Sequence, residues 1–134
     1  MTAISGPQPT LASAARLSPL GASNPKIALP ISDGLRFEAV DAIIYLEAAG
    51  NYTFLYFKDG ERLLVCRTLQ DMQDRLAAPN QFLRIHRSFL INAAYLQRYV
   101  RGKGGYVILE GGVNLTVSSS RRQEFLNRLE RHFR

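Results

Sequence analysis

The sequence predicts a mainly β fold of short antiparallel strands with two helices, and three observations carry that prediction. Tyr52-Thr-Phe-Leu-Tyr-Phe57 is a run of aromatic and β-branched side chains, followed by Lys58-Asp-Gly-Glu61 and a second apolar run, Arg62–Arg67. Such side chains suit a half-buried pleated surface, and Asp59-Gly60 supplies the positive φ angles of a hairpin turn. Further short apolar runs are separated by glycine breaks at Gly102-Lys-Gly-Gly105 and Gly111-Gly112, the punctuation of an antiparallel meander. Helical spacing of apolar residues occurs in two stretches, at Leu69, Met72 and Leu76 and at Phe125, Leu126, Leu129 and Phe133, so one short helix is expected near 68–78 and a C-terminal helix near 119–133.

Taken in order, residues 1–26 hold four of the six prolines and two charges among many Ala, Ser and Gly. No periodic apolar face is present, so this segment is expected to be a flexible tail and the domain to span 27–134. Strands are expected near Lys26–Ile31, Leu35–Phe37 and Ile43–Glu47. Ala48-Ala-Gly-Asn51 reads as a loop with Gly50 and Asn51 at its tip. Tyr52, Phe54 and Tyr56 are expected to pack mostly inside, and Cys66, in Leu63-Leu-Val-Cys66, to be a buried small apolar residue. Thr68-Leu-Gln-Asp71 resembles a capping box, and Pro79-Asn80 ends the helix that follows. After the stretch Phe82–Asn92 come strands at Tyr95–Val100, Tyr106–Leu109 and Asn114–Val117. Ser120-Arg-Arg-Gln123 is a second candidate capping box.

Composition narrows the function classes. At 134 residues with 46% hydrophobic content the chain supports one globular domain. No apolar run approaches the roughly 18 residues of a membrane span, and the N-terminus lacks the pattern of a secretory signal. One cysteine permits no internal disulfide and fits a cytoplasmic protein. The charge is lopsided: ten of the seventeen Lys and Arg, but three of the eleven Asp and Glu, lie after Leu83. Arg75, Arg84, Arg87, Arg98, Arg101 and Lys103 follow one another with no acidic residue between Asp74 and Glu110. A one-sign field of this kind attracts polyanions. Charge alone does not separate DNA from RNA or an anionic membrane surface.

The most informative stretch is Phe82-Leu-Arg-Ile-His-Arg-Ser-Phe-Leu-Ile-Asn92. Its apolar residues tie it to a core, while Arg84, His86 and Arg87 are held between them. An arginine fork on a fixed backbone matches a phosphate or a guanine edge; the plainer alternative is a strand pair with a solvated face. Arg121 and Arg122 stand in the first turn of the predicted C-terminal helix, where cations oppose the macrodipole unless an anion is bound there. Lys103 sits among glycines that lack the spacing of a phosphate loop and read as a hairpin bearing a mobile cation.

Two stretches together, Ile44-Tyr-Leu-Glu-Ala-Ala-Gly-Asn-Tyr52 and Phe82–Asn92, resemble the LytTR family of bacterial DNA-binding domains, with weaker support from Leu115-Thr-Val-Ser118. The resemblance runs from about Ile43 to Leu129. It implies small stacked antiparallel sheets, a β-β-β sandwich without a helix-turn-helix, that docks loops into successive major grooves. Carried over, the first contact loop is Gly50, Asn51, Tyr52 and Thr53. The second is Arg87 with His86 and Ser88, and the third is Ser118–Arg121, including Ser120. Ser119 stands where many members have arginine, so Arg121 or Arg122 is expected to supply that contact. The family's usual receiver domain has no counterpart in the short segment before residue 27, so control by abundance, a partner or a ligand is expected.

The leading expectation is therefore a sequence-specific regulator of transcription that binds double-stranded DNA, on paired direct repeats. Phosphate contacts would come from Arg98, Arg101, Lys103 and Arg121, with Arg84 beside them, and base contacts from Arg87 and the Asn51 loop. Two copies, as a dimer on DNA, are expected on one site; the alternative is a module that titrates or heterodimerises with a larger regulator and binds DNA poorly. RNA binding would follow if Tyr52, Phe54 and Tyr56 formed a stacking face. Catalysis is not expected: no carboxylate is placed to orient His86 beside Ser88. Two histidines and one cysteine make no metal-ligand pattern, and no cofactor is expected.

Overall fold

The computed structural model describes residues 25–77 and 81–133. The expected tail, apart from Pro25 and Lys26, lies outside the described residues, as do Pro79 and Asn80. Among the described residues the chain is mainly β, with three antiparallel sheets and two α-helices. The strands β1 (Lys26–Ile31) and β2 (Gly34–Ala39) form a hairpin. A five-stranded sheet follows from β3 (Ile43–Ala49), β4 (Tyr52–Phe57), β5 (Arg62–Val65), β6 (Phe82–His86) and β7 (Phe89–Asn92), in the order β5-β4-β3-β7-β6. The third sheet is the expected meander of β8 (Leu96–Val100), β9 (Tyr106–Leu109) and β10 (Val113–Thr116).

The five-stranded sheet lies between two cores, because its strands bury apolar residues on both faces. On one face Ile43, Leu46, Leu55, Phe57, Val65 and Leu90 pack beneath the β1–β2 hairpin and the helix α1 (Leu69–Arg75). On the other, Leu83, Ile85 and Ile91 meet Val107, Leu109 and Leu115 of the third sheet and Phe125 of α2 (Arg122–His132). Each such buried side chain stabilises the fold by roughly 1.5–3 kcal/mol. One polar residue braces the centre. Asn92 is fully buried, donates to the Ile43 carbonyl (2.9 Å) and accepts from the amides of Ala94 (3.0 Å) and the Gln81 side chain (3.1 Å).

Strand period corrects two expectations. In β4 the inward residues are Thr53, Leu55 and Phe57, so Tyr52, Phe54 and Tyr56 lie on the opposite face instead of packing inside. That face is only partly covered along β3–β5: Ile44 and Tyr45 pack at the edge of the second core, whose β9 and β10 residues meet β6 and β7. Tyr45 stacks on Tyr56 with ring centroids 4.2 Å apart. The Tyr56 hydroxyl donates to Glu47 (2.8 Å), and Arg62 lies 4.4 Å over the Phe54 ring. Burial, helped by the neighbouring Tyr56 and Glu47, pushes the Tyr45 phenol up to about 12. Cys66 is exposed, not buried. Val65 turns inward while Leu64 is exposed, so the alternation carries Cys66 outward. The Cys66 amide donates to the Pro30 carbonyl (2.8 Å) and ties β5 to β1.

Both helix starts differ from the predicted capping boxes. Thr68 caps α1 by accepting from the Asp71 amide (3.1 Å). Asp71 does not return the bond; its carboxylate takes Arg67 (2.9 Å) and Arg75 (3.1 Å), which hold it below the usual carboxylate range. The second helix starts at Arg122, later than residue 119, with Arg121 in the cap position and no side-chain cap. Ser120 lies outside it, and Gln123 donates forward to Asn127 (3.1 Å).

Candidate nucleic-acid interface

Because β3 is antiparallel to both β4 and β7, the β3–β4 and β6–β7 turns emerge at one end of the central sheet. Main-chain hydrogen bonds join that end to the third sheet. Ala48 N donates to Ser88 O (2.9 Å), linking the first turn to the second. Ser118 N donates to Ile85 O (2.8 Å), linking the second to the segment before α2, and Val117 N donates to Gly105 O (2.9 Å), linking that segment to the glycine hairpin. Four segments far apart in sequence thus form one continuous rim.

The first turn is Gly50-Asn51, closed by the pair Ala49 and Tyr52. Gly50 has φ +63°, the left-handed conformation that favours glycine and lets the strand reverse in two residues. Asn51 and Tyr52 project into solvent. Thr53 does not: it is fully buried, and its hydroxyl donates to the Arg67 carbonyl (2.8 Å). Thr53, expected in the first contact loop, is therefore placed inside the fold and not at the surface of the rim.

The second turn is the most organised. The β6–β7 pairing slips between Arg84 and His86, a bulge that re-aims the following side chains. Arg84 Nε donates to the His86 carbonyl (2.8 Å), Nη2 to the Arg87 carbonyl (2.6 Å) and Nη1 to Gln73 of α1 (2.6 Å). Ser88 N donates to His86 Nδ1 (3.0 Å). Arg84 therefore holds the turn from beneath, while Arg87 is exposed at its tip. Burial and then the nearby Arg121 charge lower the Arg84 pKa from its ordinary value. The guanidinium of Arg84, expected among the DNA contacts, is thus turned toward the carbonyls of the turn and toward Gln73.

In the third segment Ser118 and Ser120 face each other with hydroxyls 3.4 Å apart, and Arg121 N donates back to Ser118 O (3.1 Å). Arg121 and Arg122 are half-buried beside it, and Ser119 and Ser120 are exposed. The hairpin contributes Arg101 and Lys103, both exposed. Arg98 is not brought to this rim: it lies mid-strand on the outward face of β8, paired with Ile108. Sequence reasoning missed Gln73, which sits eleven residues from Arg84 on a different element, a contact with no local signature. Among the described residues no group of His, Cys, Asp or Glu could hold a metal, and no helix is long and apolar enough to cross a membrane.

Comparison with known proteins agrees with this architecture. The family model described as "LytTr DNA-binding domain" matches residues 33–130. The CO-responsive transcriptional regulator RcoM of Rhodospirillum rubrum is 30% identical over 99 residues, which cover 73% of this chain and 41% of that regulator's length. The solved LytTr DNA-binding domain of a putative methyl-accepting/DNA response regulator from Bacillus cereus superposes with a TM-score of 0.67 at 22% identity. It covers 81% of this chain and 98% of that one.

Proposed function

Because the chain belongs to the family of LytTR DNA-binding domains, we propose that it is a sequence-specific regulator of transcription that docks the rim into the major groove of double-stranded DNA. The observation that carries this reading is the exposed Arg87 at the tip of a turn braced by two carbonyl bonds from Arg84. A fixed backbone removes the main-chain share of the entropy cost when a guanidinium pairs with a guanine edge. Asn51 and Tyr52 enter the groove beside it, and His86, Ser88, Ser118 and Ser120 flank these contacts. Arg101, Lys103, Arg121 and Arg122 neutralise phosphates on either side. Two copies on paired direct repeats would extend contacts along one face of the duplex. The open aromatic face is a poor seat for RNA. Glu47 lies within it, and the Tyr45–Tyr56 and Arg62–Phe54 contacts already use ring faces.

The test compares Arg87→Ala with Lys103→Ala on an operator selected from random duplexes and on a scrambled duplex. Arg87→Ala should weaken operator binding by about 1–3 kcal/mol and leave scrambled binding nearly unchanged. Lys103→Ala should weaken both and reduce the salt slope by about one. Equal effects of Arg87→Ala on both duplexes would sink the base-reading role.

A second reading, a module that pairs with a larger regulator, is favoured by the outward face of the β1–β2 hairpin. Leu35 and Phe37 are 57% and 56% exposed there, opposite Pro30 and Ala28. Capture of a full-length LytTR regulator that is lost in Phe37→Ser, without a shift of operator DNA, would support it.

A further inference from the structure

Between the glycine hairpin and α2 lies an open groove of about 440 Å³ lined by Tyr99, Arg101, Gly102, Lys103, Arg122 and Leu126. Three of these residues are cationic and none is acidic. Its floor is apolar and held in place. Tyr99 packs edge-on against the buried Phe125, with centroids 5.7 Å apart, and a side chain at Gly105 would meet the Tyr99 hydroxyl at 3.0 Å. Arg122, half-buried, brings its guanidinium to the wall of the groove. No side chain caps α2, so the amides of its first turn add to the attraction for an anion.

We propose that this groove binds a small phosphate ester carried on a flat apolar group, the phosphate held by Arg122, Arg101 and Lys103 and the flat group laid on Tyr99 and Leu126. The volume falls within the range of small-molecule sites. A backbone phosphate of duplex DNA would satisfy the cations but leave the apolar floor unused. The two halves of the site therefore match a free ester better than a phosphodiester. The site shares Arg101, Lys103 and Arg122 with the proposed phosphate contacts to DNA, and it is tested without DNA so that the two readings fail separately.

The full chain is titrated with phenyl phosphate and, separately, with inorganic phosphate, by calorimetry and by amide chemical shifts. Phenyl phosphate should bind saturably, with shifts at Tyr99, Lys103 and Leu126, and about tenfold tighter than inorganic phosphate because the ring is buried. Arg122→Gln should weaken it about tenfold, and Leu126→Ala should bring the two anions closer in affinity. Lys103→Gln, on the exposed hairpin, repeats the charge test where a change in α2 disturbs folding. Equal affinity for the two anions, the absence of saturation, or binding indifferent to both Arg122→Gln and Lys103→Gln would overturn the proposal.

Discussion

The Arg84 guanidinium donates to the main-chain carbonyl of Arg87 at 2.6 Å, so one arginine fixes the backbone from which another is displayed. The two look equivalent as neighbouring cations in a strand pair, yet one faces Gln73 and two carbonyls while the other faces solvent.

Substitution should separate them. Arg84→Lys keeps the charge but cannot span both carbonyls. Operator affinity should fall roughly tenfold, in line with the loss of about one charged hydrogen bond, with the salt slope unchanged. Hydrogen exchange at the Ser88 amide should quicken in the same variant. A salt slope reduced by about one would show instead that Arg84 touches a phosphate.

Thr53→Val tests the burial of a residue once expected at the surface. The substitution preserves shape and leaves the Arg67 carbonyl without its donor. Urea unfolding should register a loss of about 1–2 kcal/mol, while DNA affinity of the folded protein stays at the parent value.

Asn92→Ala should be more damaging, because one side chain satisfies a carbonyl and two donors in the centre of the fold. The expected loss is roughly 2–4 kcal/mol, the sum of unsatisfied buried groups and a small cavity. A midpoint of denaturation within error of the parent would contradict this account.

Alkaline titration should reveal Tyr45. Its folded pKa is raised to about 12 by burial first, above the ordinary value of 10.0. The folded state thus holds this proton more tightly than the unfolded state. The associated stability is fully present below about pH 10 and is lost as pH rises toward 12. Absorbance at the phenolate band should show one fewer late-titrating tyrosine in Tyr45→Phe, with Tyr56 and Tyr95 also titrating above the ordinary value, and the alkaline fall in stability should be shallower in that variant.

The strands were legible because their apolar runs and glycine breaks have local causes. Gly50 reverses β3 into β4, and Gly111-Gly112 joins β9 to β10, where the breaks predicted turns. Which face of a strand turns inward was harder to read. In β4 either alternate set, Tyr52, Phe54 and Tyr56 or Thr53, Leu55 and Phe57, is apolar enough to be buried. The choice follows from the β1–β2 hairpin and α1 covering one side. Cys66 was misplaced for the same reason. The start of α2 escaped because the Ser118 amide is drawn to Ile85 O, a partner distant in sequence. Ser119, Ser120 and Arg121 then form a turn closed by the Arg121 N to Ser118 O bond, and the helix begins only after it. Candidate contact residues were legible as residue types; the division between displayed Arg87 and supporting Arg84 was not, since it depends on the bulge and on Gln73.

The bonds from Ala48 to Ser88, Ser118 to Ile85 and Val117 to Gly105 run from main chain to main chain. They do not depend on which side chains stand at positions 51, 87 or 119. The rim can therefore accept a new vocabulary at those tips without being rebuilt, and on the proposed reading operator preference is open to change one substitution at a time while the carrier stays folded.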